Sequence, residues 1–158
     1  MYASPSKLPP DARSRVAGAL DARLADGIDL QTQAKSAHWN LKGPHFAALH
    51  ALFDGLASAV LGFNDQIAER AVTLGGRASG TAREAARASR LPELPAEARR
   101  DLELVRLLAD RVDAYLEGVR DARKVAESAG DADTVDLLTE VASEMEKQGW
   151  FLRATLEG

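Results

Sequence analysis

The sequence predicts an all-α fold: four long helices in an antiparallel bundle, with a short helix in a long middle connection. Three observations point there. Hydrophobic residues, largely Ala and Leu, make up 46% of the 158-residue chain while aromatics make up only 5%, a balance that suits helices packed closely on one another. Apolar residues recur every three or four positions, the period of a helix with one buried face. Pro, Gly and Asp stand where such helices should start and stop.

Pro9-Pro10-Asp11 opens the first helix, with proline in the first turn and an acid near the positive end of the helix dipole. Val16, Leu20, Leu24 and Ile28 then recur every four residues and predict helix to about Ala37. Asn40 to Gly43 is a break, and Pro44 fits the first turn of the second helix. Gly75-Gly76 stops that helix after about Leu74. Thr81 caps a short helix reaching Arg90, and Pro92 and Pro95 bracket a turn. The third long helix follows Pro95, with Val105, Leu108, Val112, Tyr115, Val119 and Ala122 as its buried stripe, and Gly130 ends it. Asp131 or Asp133 caps the fourth, whose stripe is Leu138, Val141, Met145 and Leu152. The first and last connections are short, whereas the middle one is long and carries its own helix. That permits a crossover between the second and third helices, the topology of ferritin-like bundles. The chain reads as one domain over 1–158, with a short N-terminal extension at about 1–8.

Composition narrows the function. There is no cysteine, which excludes disulfide scaffolds, zinc ribbons and thiol catalysis. The formal net charge of −4 gives no general reason to bind nucleic acid. No apolar run approaches the length expected of a membrane span, and Met1 to Pro5 lack the apolar core of a secretory signal. The expected location is cytoplasmic, with no membrane partner.

The chemistry lies in the second helix. His50, Asp54, Asp65 and Glu69 fall within an arc of about 100° and form one stripe. Asp54 and Asp65 are about 16 Å apart along the helix axis, so one metal cannot join them within a chain. Yet the pairs His50/Glu69 and Asp54/Asp65 share one midpoint, between residues 59 and 60. An antiparallel copy of this helix, placed on a two-fold axis there, sets Asp54 against Asp65 of the partner subunit and His50 against Glu69 of the partner subunit. One dimer then holds two identical clusters. Gly55, Ser58, Ala59 and Gly62 flank the axis and permit close approach. Two glycines inside a helix each cost about 1 kcal/mol relative to alanine, which calls for a packing reason. Three carboxylates in apolar surroundings repel, each like pair by about 4 kcal/mol at ~4 Å and an effective dielectric near 20. A cation offsets that, and so does protonation. Mixed imidazole and carboxylate ligands suit Fe(II), Mn(II) or Zn(II) better than Ca or Mg. The Glu-x-x-His motif of sites inside bundles is absent, because Lys35, Lys42 and Ala47 precede His38, His45 and His50 by three. Each histidine alone reads equally as a cap or a hydrogen-bonder.

His38-Trp39-Asn40-Leu41-Lys42-Gly43-Pro44-His45-Phe46, then Ala48-Leu49-His50 and Phe53-Asp54, closely resembles the Dps family, the DNA-binding proteins from starved cells. Asp65-x-Ile67-Ala68-Glu69-Arg70-Ala71-Val72-x-Leu74-Gly75-Gly76 continues the likeness, as do Asp133-Thr134-x-Asp136-Leu137-Leu138 and Trp150-Phe151-Leu152. It spans about residues 15–157. The resemblance implies a ferritin-like subunit, twelve of which form a hollow shell, with ferroxidase sites at two-fold interfaces. It implies His38, His50 and Asp54 of one subunit as iron ligands, completed by the neighbour's Asp65 and Glu69. His38 is the ligand that spacing alone does not place. It also implies Fe(II) and hydrogen peroxide as substrates and an Fe(III) mineral inside the shell.

On this resemblance Fe(II) binds first where His38, Asp65 and Glu69 converge, and a second iron or a water lies nearer His50 and Asp54. Trp39 is either an electron donor beside His38 or a core aromatic. Asp131, Asp133 and Asp136, at the start of the last helix, are implied as an iron-entry pore on three-fold axes; their plainer role is helix capping. Relatives often carry acids beside the second-helix ligands, where this chain has Ala51 and Gly55. A DNA-coating protein with secondary iron oxidation is the second reading. Its cations would come from Lys7, Arg13 and Arg15, or from a patch of Arg87, Arg90, Arg99 and Arg100; that patch reads equally as a solvated face. Leu156-Glu157-Gly158 adds no basic tail.

Overall fold

The computed structural model describes residues 3–157, so the readings of Met1, Tyr2 and Gly158 lie outside the described residues. Five helices follow one another: α1 (Pro10–Asn40), α2 (Phe46–Thr73), α3 (Ala82–Ala88), α4 (Asp101–Ala129) and α5 (Ala132–Leu156). α1 packs along α2 and α4 along α5, and the two hairpins close through α1 against α4 and α2 against α5. α2 and α4 therefore stand on a diagonal, and the connection between them crosses over α1, against which α3 packs. The expected crossover bundle forms.

The apolar stripes meet in one core. Val16, Leu20 and Leu24 of α1 join Phe53, Leu56, Val60 and Ile67 of α2, the whole expected stripe of α4, and Leu138, Val141, Met145 and Leu152 of α5. Ile28 is the exception: it is only partly buried and lies under the crossover, with its Cδ1 close to Gly80.

Helix ends differ from the expected ones where long-range contacts intervene. α1 continues past Ala37 to Asn40 because Leu41 is buried and donates its backbone N–H to Ala37. Pro44 falls in the turn, and His45 is the N-cap of α2, its backbone N–H held by Asp101 Oδ2 at 2.9 Å. Gly75 takes φ +90 as α2 ends. α3 is shorter than expected and begins with a reciprocal capping box between Thr81 and Glu84. α4 begins at Asp101 rather than after Pro95. The intervening residues pair with the α1–α2 corner, Lys42 N–H donating to Arg99 O at 2.7 Å and Asp101 N–H to Lys42 O at 3.1 Å. Gly43, at φ +144, lies so close over Asp101 that a Cβ there would strike the carboxylate. Gly130 ends α4 in the left-handed conformation, and Asp131 caps α5.

A row of polar side chains on α1 fastens the crossover. Asp21 accepts from Ser79 N–H, Asp26 from Arg90 N–H and Asp29 from the Ser89 hydroxyl, while Gln33 donates to Pro92 O. Arg90 also turns back toward Asp26, and Arg99 folds onto the carbonyls of Ala96 and Ala98. Two of the four arginines of the suggested basic patch are thus engaged by their own chain.

One expectation is corrected. α2 is long and apolar enough to cross a membrane by length and composition, and a third of its most apolar window is buried within the chain. Its unburied face carries Gly55, Ser58, Leu61 and Gly62 together with Asp65 and Glu69.

Candidate metal centre

The tight α1–α2 corner folds the last turn of α1 onto the start of α2 and brings His38 against His50. Their rings stack with centroids 3.7 Å apart. His38 Nδ1 lies 2.7 Å from His50 O, and His50 Nδ1 lies 3.0 Å from His38 O. A carbonyl oxygen only accepts, so both Nδ1 atoms carry the proton. With Nδ1 carrying a proton, Nε2 is the atom of each ring left to bind a metal. Phe46 stacks on the other side of His50, its centroid at 5.0 Å.

Asp54 follows His50 by one turn of α2. Its Oδ1 accepts from Lys35 Nζ at 2.7 Å. That hydrogen bond, with the charge of Lys35 behind it and both histidines adding, holds the Asp54 carboxyl below the usual carboxylate range. Asp65 and Glu69 lie further along α2, both exposed. No ion pair or side-chain hydrogen bond holds either carboxylate among the described residues. The chain thus brings His38 against His50, sets Asp54 one turn further along α2 and held by Lys35, and leaves Asp65 and Glu69 apart from them. No cluster of three or more metal-ligating side chains forms within one subunit, among the described residues. His45 turns the other way, its Nδ1 2.9 Å from Asp101 Oδ2.

The surface between the two ligand groups is open. A Cβ on Gly55 or Gly62 would meet nothing within 4 Å. Leu61 is 58% exposed and Trp39 69% exposed. The reading of Trp39 as a core aromatic is therefore corrected: it stands on the outer face, with Lys35 Nζ 5.8 Å from its ring centre.

The three acids at the start of α5 separate. Asp131 is 3% exposed. It accepts from Thr134 N–H and Thr134 Oγ1 and pairs with Arg70 at 2.7 Å, so both its oxygens serve the helix cap and the α2–α5 contact. Asp133 and Asp136 face solvent. The N-terminal segment is docked nearby: Ser4 Oγ donates to Thr73 O, Leu8 packs on the core, and Lys7 lines a cavity of about 590 Å³ shared with Arg70 and Asp133.

Lys35 and Arg70 were missed by reading the sequence for ligands. The signal for Lys35 was its spacing. It stands three residues before His38, one turn back on the same face, where a site inside the bundle has glutamate.

Known proteins agree with this architecture. The ferritin-like domain family matches residues 17–158. The chain is 36% identical over 150 residues to a DNA protection during starvation protein of Agrobacterium fabrum, covering 95% of this chain and 93% of that one. The structure of Mycobacterium smegmatis Dps superposes with a TM-score of 0.93 at 29% identity, over 99% of this chain and 94% of that one. A Dps protein from Vibrio cholerae O1, described as a member of a broad superfamily of ferritin-like diiron-carboxylate proteins, superposes with a TM-score of 0.91 at 26% identity, over 99% of both chains. With its crossover bundle and its histidine pair at the α1–α2 corner, the chain belongs to the ferritin-like proteins and, among them, to the Dps family.

Proposed function

We propose that this protein is an iron-sequestering ferroxidase of the cytoplasm. It oxidises Fe(II) with hydrogen peroxide at sites shared between two subunits of a dodecamer and keeps the Fe(III) inside the shell. The observation that carries this is the half-site: His38 of α1 stacked on His50 of α2 with Asp54 one turn on, and Asp65 and Glu69 exposed at the mirror position, with open glycines between. Among the described residues the bundle interior offers no cluster of carboxylates and histidines; Arg23, Asp26, Asn64 and Tyr115 are the polar groups there.

The donors suit the substrate. Two imidazole Nε2 atoms and three carboxylates are a set for Fe(II), and the carboxylates offset its charge. His38 with Asp65 and Glu69 of the partner subunit would take the first iron. His50 and Asp54 would take the second, once Lys35 leaves Asp54. Peroxide accepts one electron from each iron; its O–O bond breaks, and two protons complete two waters. Consuming the oxidant in pairs avoids the one-electron step that releases hydroxyl radical. The protein's part is to hold two irons close with open coordination positions. Asp133 and Asp136, exposed at the start of α5, would line the entry pore, while Asp131 secures Arg70 behind them.

DNA coating is the less supported reading. The N-terminal segment lies against the bundle through Ser4 and Leu8, and it leaves only a few exposed cations, Lys7 and Arg15, for phosphate contacts. Relatives are named for DNA protection, and removal of iron and peroxide together protects DNA without coating it.

Anaerobic Fe(II) titration followed by peroxide, with oligomer mass measured in parallel, tests the proposal. It predicts up to two irons oxidised per peroxide in a dodecameric species. A monomer that oxidises iron at full rate would refute the shared site.

A further inference from the structure

The strongest unexplained chemistry outside the metal centre lies inside the bundle. Arg23, Asp26 and Gly27 of α1, Asn64 of α2, and Tyr115 and Gly118 of α4 meet there. Arg23 Nη1 donates to Gly118 O at 2.8 Å, and its Nη2 pairs with Asp26 Oδ2 at 2.9 Å. Arg23 Nε, Asn64 Oδ1 and Tyr115 Oη are all buried without a hydrogen-bond partner among the described residues. Tyr115 is fully buried, and burial raises its hydroxyl well above the usual range, so it stays a neutral O–H. Native cores do not leave so many neighbouring polar atoms unpaired.

The geometry around them is built for polar groups. A Cβ on Gly27 would stand 2.0 Å from Asn64 Oδ1 and 3.2 Å from Tyr115 Oη, so the two oxygens flank one point, yet no hydrogen bond joins them. A Cβ on Gly118 would strike the Arg23 guanidinium at 2.6 Å. Arg23 and Gly27 are one turn apart on α1, and Tyr115 and Gly118 are one turn apart on α4. The absent side chains leave room for these groups to face one another. Asp26 and Gly118 also line a cavity of about 170 Å³ at the surface, with Arg90, Glu117 and Asp121.

We propose that the bundle centre is a water-binding site, in which an ordered water bridges Tyr115 Oη and Asn64 Oδ1 beside the Arg23 guanidinium and exchanges with solvent through the cavity at Asp26 and Gly118. The donor inventory selects water. It accepts from the Tyr115 O–H and donates to Asn64 Oδ1. A halide has no proton for Oδ1, and the fixed guanidinium charge repels a metal cation.

The test is a high-resolution crystal structure of the assembled protein grown in bromide, together with oxygen-17 relaxation dispersion, which counts long-lived internal waters. The expected result is a peak at hydrogen-bonding distance from both oxygens, without anomalous signal. In Tyr115→Phe that peak and one long-lived water per subunit disappear. A direct Tyr115–Asn64 hydrogen bond with no peak between them, a bromide anomalous signal there, or an unchanged water count in Tyr115→Phe would each overturn the proposal. Should that variant not fold, the wild-type density and dispersion decide alone. None of these readouts depends on iron oxidation.

Discussion

His38 and His50 lock each other in place: each ring donates its Nδ1–H to the other's backbone carbonyl, and the two rings stack. One contact therefore joins the end of α1 to the start of α2 and fixes both tautomers. Neither ring reorients without breaking its own hydrogen bond and the stack between them. A metal site that must be completed by another subunit gains most from such a rigid half.

Loss of a ligand should abolish chemistry and spare assembly. His38→Ala or Asp65→Ala is expected to slow peroxide-driven Fe(II) oxidation at least ~10–100-fold, the range seen when residues supporting a metal site are lost. Light scattering should show an unchanged oligomer. Full activity in both variants would contradict the site.

Lys35 competes with metal for Asp54. Removing its charge in Lys35→Met should tighten Co(II) or Fe(II) binding at the His50/Asp54 half. The gain should be modest, because exposed ion pairs are weak. Anaerobic titration of both proteins would show it; identical isotherms would mean that Lys35 leaves without cost.

The open glycines separate folding from assembly. A Cβ at Gly62 meets nothing within 4 Å in its own subunit, and in Gly62→Leu leucine favours helix over glycine by about 0.7 kcal/mol. The subunit should fold at least as well, while shell mass and iron oxidation both fall. A stable dodecamer carrying Leu at this position would place the dyad elsewhere.

Asp136 tests the entry route. Asp136→Asn keeps the size of the side chain and removes its charge. Slower iron uptake with undiminished oxidation at saturating iron is expected in stopped-flow measurements. Equal uptake rates would remove this residue from the pore.

Acid should loosen the crossover before the bundle. The Glu84 carboxyl is held down to about 2, first by its hydrogen bond to Arg77 and then by Thr81. A folded value below the unfolded one means that this contact is complete above the ordinary value of 4.5 and is lost as pH falls toward 2. Amide protection in α3, taken relative to the intrinsic exchange rate at each pH, should fall across that window, and Glu84→Gln should abolish the dependence. Protection that does not change with pH in the unaltered protein would count against the capping box.

Local pattern carried most of the architecture. Apolar recurrence from Val16 through Leu152 located the core faces, and Thr81, Gly130 and Asp131 marked helix ends through capping chemistry that needs only near neighbours. The mirrored spacing of His50, Asp54, Asp65 and Glu69 was legible too, because a straight helix converts sequence separation into distance. Contacts between residues far apart in sequence were not. The start of α4 at Asp101 depends on Lys42 pairing with the chain near Arg99. The engagement of Asp54 by Lys35, the lock between His38 and His50, and the pairing of Asp131 with Arg70 each join different helices. Such partners are chosen by how helices pack and which way each face turns, and that geometry exists only once the bundle has closed.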